Sequence, residues 1–145
     1  IRLDKGVQNY NNKINYNLKD GFNFTIKKNN KQKLIISSGY FSNLANEVAE
    51  KRSDTSVVNI FRLKNFNRKK FIKNVKEFRE IIIYDESTIS GGITPIILNV
   101  FNNLGLKKKI KILASPDKQL FRYSLLRDDI LKHLKIDKSY LEKLI

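Results

Sequence analysis

The sequence predicts an α/β fold, a parallel or mostly parallel sheet with helices on both faces. Two observations carry that expectation. Strand-like and helix-like patterns alternate four times from Gly21 onward with short connections. The segments Leu34-Ile35-Ile36 and Ile81-Ile82-Ile83-Tyr84 are unbroken apolar runs, as in strands covered on both faces. With 145 residues, 41% of them hydrophobic, the chain has the material for one ordinary domain core.

Residues 1–20 are polar and rich in Asn, and read as a linker or arm. Phe22, Phe24 and Ile26 then alternate with Asn23, Thr25 and Lys27, the period of a half-buried strand. Asn29-Asn30 marks a turn before the 34–36 strand, which Gly39 ends. A helix is predicted from near Ser42, because Phe41, Leu44, Ala45, Val48 and Ala49 form one apolar stripe. Val57-Val58 and Ile60-Phe61 give the next strand. A basic helix opening at Asn67 or Arg68 carries Phe71, Ile72, Val75 and Phe78 on its core face.

The 81–84 strand follows, then Gly91-Gly92 and a well-punctuated helix. Thr94 suits the N-cap, Pro95 the first helical position and Gly105 the residue past the end. Ile110, Ile112 and Ala114 alternate with lysines, which suggests a strand near a sheet edge. Leu126, Ile130 and Leu134 line a further helix, and Tyr140, Leu141 and Leu144 a short final one. No internal repeat is present.

Composition excludes several chemistries. With no Cys there are no disulfides, thiolate nucleophiles, Cys-ligated zinc sites or iron–sulfur clusters. The single His, His133, leaves no His pair for a metal and little scope for a His-dependent triad. No apolar run approaches the roughly 18 residues of a membrane span, and Ile1-Arg2-Leu3-Asp4-Lys5-Gly6 lacks an apolar signal core. A soluble, cytoplasmic domain is expected, with no membrane partner. The absence of Met suggests a piece of a longer chain.

The 29 basic and 14 acidic residues give a net charge of +15. Such a field attracts phosphate polymers and anionic surfaces. It also fits a composition skewed to Lys, Asn and Ile, since 22 of the basic residues are Lys and 7 are Arg. The latter reading is preferred, because Lys excess lacks the bidentate forks of phosphate and base readers. Specific nucleic-acid binding is therefore not expected, and a basic α/β module that binds nucleic acid stands as the alternative reading from a different class. The runs Arg68-Lys69-Lys70 and Lys107-Lys108-Lys109 read by default as solvated surface.

Two places could form a site at strand ends. Ser37-Ser38-Gly39-Tyr40 joins a strand to a helix and is either an anion-accepting corner or a plain glycine turn. Asp85-Glu86 with Gly91-Gly92 offers a carboxylate and a helix start that another backbone could approach closely. It is either a site or a structural turn. Neither dinucleotide nor nucleoside-triphosphate fingerprints are present, and no serine-nucleophile elbow occurs. His133, near a helix end, reads as structural.

The order of these pieces resembles the C-terminal domain of transketolase-like, thiamine-diphosphate-dependent enzymes over about Gly21 to Ile145. The resemblance rests on Leu34-Ile35-Ile36-Ser37-Ser38-Gly39 and Val57-Val58-Asn59-Ile60. It continues through Ile82-Ile83-Tyr84-Asp85-Glu86, Gly91-Gly92 and Pro116-Asp117. The tail matches at Arg127-Asp128-Asp129-Ile130-Leu131 and Ile136-Asp137. Ile93-Thr94-Pro95 and Tyr123-Ser124 depart from the family pattern.

The resemblance implies a three-layer α/β/α sandwich with a mixed five-stranded sheet and one antiparallel edge strand, a role that suits Phe22 to Ile26. It implies that residues 1–20 are the exit strand and linker of a preceding pyrimidine-binding domain, and that 21–145 are the C-terminal domain. It implies that this domain itself binds no cofactor and no metal and has no catalytic residue, with thiamine diphosphate and Mg in the complete enzyme. The preceding cofactor-binding domains or subunit would be its partners, in a homodimer. The expected function is subunit packing or regulation in a transferase that moves a two-carbon ketol unit between sugar phosphates. A 2-oxoacid dehydrogenase beta subunit and a deoxyxylulose-phosphate synthase are the sibling readings. Ser38, Gly39, Tyr40, Glu86, Gly91 and Gly92 are the candidate interface or anion-site residues, with Glu86 as the expected hydrogen-bond acceptor.

Overall fold

The computed structural model describes residues 17–117 and 126–145. The expected exit strand at Ile1–Gly6 and the Tyr123-Ser124 departure lie outside the described residues. The strands are β1 (Phe22–Ile26), β2 (Lys33–Ser37), β3 (Thr55–Ile60), β4 (Glu80–Thr88) and β5 (Lys109–Ser115). The helices are α1 (Tyr40–Glu50), α2 (Arg68–Val75), α3 (Thr94–Asn103), α4 (Arg127–His133) and α5 (Lys138–Leu144).

The five strands form one sheet in the order β1-β3-β2-β4-β5. Strands β3, β2, β4 and β5 run parallel, and β1 pairs antiparallel with β3 at the edge. The alternating Phe22–Ile26 segment therefore takes the edge role its polar alternate residues suit, and the two unbroken apolar runs are the central β2 and β4. Leu34, Ile35, Ile36, Ile81, Ile82 and Ile83 are all fully buried. A one-residue slip would exchange their faces, but apolar partners on both sides make each position equally dry.

One face of the sheet is covered by α2 and α3. Its core is rich in aromatic rings: Phe71 meets Phe22 and Phe66 edge-on, with centroids 5.3 and 5.4 Å apart. The other face is covered by α1, α4 and α5. Ala45 and Ala49 let α1 lie close there, and the Tyr84 hydroxyl donates to the Ile136 carbonyl at 2.8 Å.

Helix ends follow local chemistry. Asn67 caps α2 by accepting the Lys70 N–H, which resolves the choice of start in favour of Arg68 as first helical residue. Past α3, Gly105 sits at φ +61° while its N–H reaches the Asn102 carbonyl and the Leu106 N–H reaches Phe101. This paired arrangement ends the helix as Gly105 predicts. Three cations hold the carbonyls of the last turn of α5: Arg52 on Glu142, Lys111 on Leu144 and Lys33 on Ile145.

Some boundaries and one side-chain facing differ from expectation. Helix α1 starts at Tyr40, two residues before Ser42. Helix α2 ends at Val75, and Phe78 completes the same apolar face from the turn that follows. Strand β4 runs on to Thr88, because the Ile89 N–H still bonds the Ser115 carbonyl beyond the apolar run. On β5 Ile112 is solvent-exposed whereas Leu113 packs under α5, since an edge strand is covered unevenly.

Candidate functional site

The connections leave the sheet in opposite senses at one place. From β2 the chain enters α1 on one face, and from its neighbour β4 it enters α3 on the other. Ser37 and Tyr84 are register partners at the ends of the two strands. Such a switch point opens a crevice at the carboxyl edge, where sheets of this type place ligands and partners. Both sequence-predicted stretches border it.

The acceptor that organises this corner is Asp85. It shares the face of Ile81 and Ile83 by strand alternation, and so points under α3. One carboxylate oxygen accepts the Ile93 N–H at 2.9 Å, the Thr94 N–H at 3.1 Å and the Thr94 hydroxyl at 3.0 Å. The other accepts the Ser87 N–H at 3.0 Å. The carboxylate is buried, and it supplies from the neighbouring strand the cap that α3 lacks. The predicted N-cap role of Thr94 is thereby corrected. Ile93 occupies the cap position, Thr94 opens the helix, and its hydroxyl donates to Asp85 instead of accepting a helix N–H.

Gly92 makes this geometry possible. Its φ is +63°, and a Cβ there would lie 2.5 Å from Asp85 Oδ2 and 2.5 Å from Ser87 Cβ. The close approach expected of the glycine pair is thus to a carboxylate of the preceding strand, β4. Gly91 bonds back to the Thr88 carbonyl. Ser90 donates through both N–H and hydroxyl to Asp117, at 3.2 and 2.7 Å, and these bonds hold the Asp117 carboxyl below its ordinary range. The Pro116-Asp117 and Gly91-Gly92 motifs are therefore joined in space.

Glu86 is an acceptor, but of a side chain: among the described residues the backbone donors of this corner go to Asp85, one residue earlier and on the opposite face. Glu86 Oε1 instead accepts from Arg127 of α4 at 3.1 Å, and the Arg127 guanidinium lies 4.5 Å from the Tyr40 ring centroid. Tyr40, Arg127 and Glu86 thus form one cluster at the start of α1, and burial followed by the nearby Asp128 carboxylate pushes the Tyr40 hydroxyl pKa up. Ser38 and Gly39 border it, Gly39 at φ +54° with open space where a Cβ would stand. The six candidate residues hence divide: Ser38, Gly39, Tyr40 and Glu86 on the α1 side, Gly91 and Gly92 on the α3 side.

Sequence reasoning missed the polar chain below α1. The Ser37 hydroxyl donates to Ser42 Oγ, which donates to Asn59 Oδ1, each at 3.0 Å and buried. No sequence motif marks it; only the pairing of β2 with β3 brings Asn59 beneath Ser42. It missed Arg127 because that residue comes from a distant helix. His133 is the last residue of α4, at the helix end where the sequence places it. Among the described residues no group of three His, Cys, Asp or Glu is placed to hold a metal, and no helix is long and apolar enough to cross a membrane.

A family model for the transketolase C-terminal domain matches residues 23–140. The chain belongs to that family. The transketolase C-terminal domain so defined spans every strand of the sheet except the first residue of β1, and includes both sides of the switch-point crevice. No curated protein sequence matches the chain. Among solved structures it is similar to a split gene transketolase described as an inactive beta4 tetramer, with a TM-score of 0.69 at 15% identity. The likeness covers 83% of this chain and 40% of that one. At that identity it establishes the fold, the five-stranded mixed α/β sheet expected of a transketolase C-terminal domain.

Proposed function

We propose that this chain is the non-catalytic C-terminal section of a transketolase-like transferase that moves a two-carbon ketol unit between sugar phosphates. The family match over residues 23–140 is the observation that carries this reading. The chemistry of the crevice supports it. Both oxygens of Asp85 are engaged by donors of its own loop and helix, and Glu86 is paired with Arg127. Carboxylates so engaged do not fit thiamine diphosphate and its magnesium, which need carboxylate and carbonyl oxygens free to ligate a hard cation. On this reading cofactor binding belongs to other domains or another subunit of the enzyme. The corner of Ser38, Gly39, Tyr40, Glu86, Gly91 and Gly92 faces that neighbour, and the role of the domain is subunit packing in a homodimer.

Calorimetry of the 145-residue chain with thiamine diphosphate and Mg²⁺ at millimolar concentration tests the division of labour. No saturable heat is expected. The companion experiment co-expresses the chain with a cofactor-binding transketolase section and measures assembly and ketol transfer. Micromolar cofactor binding by the chain alone, or a cofactor-binding part that is fully active without it, overturns the reading.

A further inference from the structure

The helical layer of α2 and α3 carries a feature that the family role leaves unused. Between the two helices lies a cavity of about 390 Å³ lined by Arg68, Lys69, Ile72, Val100, Asn103 and Leu104. Its walls are mostly aliphatic, and Leu104 is 53% exposed at its rim. A single exposed leucine is ordinary, but one set at a concavity beside Ile72 is an anchor for an apolar side chain. The surroundings are strongly basic. Between residues 62 and 79 the chain has eight basic residues (Arg62, Lys64, Arg68, Lys69, Lys70, Lys73, Lys76, Arg79) and one acidic residue, Glu77. Neither α2 nor α3 contains a carboxylate. The bound acid nearby, Asp20, is already paired with Lys70 at 2.5 Å.

We propose that this groove docks an acidic, amphipathic segment of a partner protein. An apolar side chain of the segment fills the space beside Ile72 and Leu104, and its carboxylates meet Arg68 and Lys69. Charge complementarity selects this occupant. A second copy of the chain meeting the same face would set Arg68 and Lys69 against themselves, at a net charge of +15 on each molecule. Nucleic acid would find phosphate contacts but no stacking platform, because the rings beneath the basic side chains, Phe66 and Phe78, are 4% and 0% exposed. A small interface of this kind binds in the micromolar range and weakens with salt.

The test is a labelled helical peptide of about 12 residues, Leu at i, i+3, i+4 and i+7 and Glu elsewhere, titrated with the 145-residue chain and read by anisotropy. Saturable binding is expected, weakened about tenfold or more by Leu104→Ser and by Lys69→Glu and unchanged by Lys27→Glu on the other side of α2. Melting curves for Leu104→Ser and Lys69→Glu, both surface changes, check that the variants fold. Four results overturn the proposal. One is the absence of saturable binding, and a second is equal binding of an all-Glu peptide without Leu. The third is equal loss with Lys27→Glu, which would mean diffuse attraction. The fourth is tighter binding of a single-stranded oligonucleotide of about 20 nucleotides that Leu104→Ser does not alter.

Discussion

Helices α2 and α3 hold the sheet with rings and branched aliphatic side chains, whereas α1, α4 and α5 hold it with small residues and polar ties. On the α2/α3 face, Phe71 lies edge-on between Phe22 and Phe66, and the layer's outer surface is left basic and without internal carboxylates. On the α1 face, the core passes through Phe41 and Tyr84, with ring centroids 4.3 Å apart. Side chains then cross between elements: Tyr84 to Ile136, Thr25 to Asn46, Lys138 to Glu47 and Arg127 to Glu86. The difference teaches where each layer's surface charge is spent. The α1, α4 and α5 layer uses its acids to fasten itself. The α2/α3 layer is fastened chiefly by dry packing, with Asp20 tying Asn67 and Lys70 and Asp85 capping α3, and neither helix supplies a carboxylate to Arg68 or Lys69.

Asp85 and Gly92 fasten α3 to the sheet, a polar device on the otherwise mostly dry face. Gly92→Val should cost more than about 4 kcal/mol, because a β-branched residue must adopt φ +63° and its Cβ falls 2.5 Å from the Asp85 carboxylate. Urea unfolding of the 145-residue chain measures it. A loss under 1 kcal/mol would show that the loop relaxes freely and that α3 is held by packing alone.

The next largest effect compares the two faces directly. Phe71→Ala removes a fully buried ring that contacts two others and should cost about 3–4 kcal/mol. Tyr84→Phe keeps the ring but strands the buried Ile136 carbonyl, and should cost about 1–2 kcal/mol. If the two substitutions prove equal, the polar ties contribute as much as the rings, and the contrast between the layers disappears.

Acid tests the polar ties on both faces. Hydrogen bonding from Lys33 lowers the pKa of Asp54, and hydrogen bonding from Lys111 lowers that of Glu80, below ordinary values. A carboxylate depressed in the folded state stabilises it fully above its unfolded pKa, near pH 4, and loses that contribution as pH falls through the folded value. Lys33 and Lys111 are also the cations on the last carbonyls of α5. Hydrogen bonding from Lys70 of α2 likewise lowers the pKa of Asp20. Below about pH 4, amide exchange should therefore rise in both α5 and α2. Unchanged exchange in both helices would place the acid-sensitive contacts elsewhere.

What the sequence made legible follows from how local each cause is. The strands β2 and β4, the helix end at Gly105 and the edge place of β1 were readable because periodicity and punctuation act within a few residues. At the corner the sequence marks Glu86 as an acceptor, and it accepts from Arg127, while the backbone bonds of the helix start go to Asp85. Asp85 and Glu86 differ by one position, and strand alternation sends the first under α3 and the second toward Arg127. The parity of Asp85 with Ile81 and Ile83 was the available signal. Thr94 had the chemistry of a cap, but a carboxylate from another strand outcompeted it. The Ser37–Ser42–Asn59 chain and the Arg127 cluster depend on strand order and on a helix far along the sequence, which no local pattern encodes.

The smallest expected effect lies at the end of α4, on the polar-tied face. Lys135 stands at φ +60°, where its N–H reaches the Lys132 carbonyl and the Ile136 N–H reaches Leu131. This is the same helix ending that Gly105 gives α3, made here with a residue whose Cβ disfavours the left-handed conformation. The lysine costs roughly 1 kcal/mol of backbone strain there. Glycine would remove that strain but add conformational freedom to the unfolded chain. Lys135→Gly should therefore stabilise the chain by about 0.5 kcal/mol, seen as a small rise in thermal midpoint. The same substitution one residue earlier, Leu134→Gly, lies at φ −78° and should only destabilise. A loss of stability in Lys135→Gly would mean that the lysine side chain contributes more here than its backbone strain costs, and that the α4 face relies on side-chain ties even at its helix end.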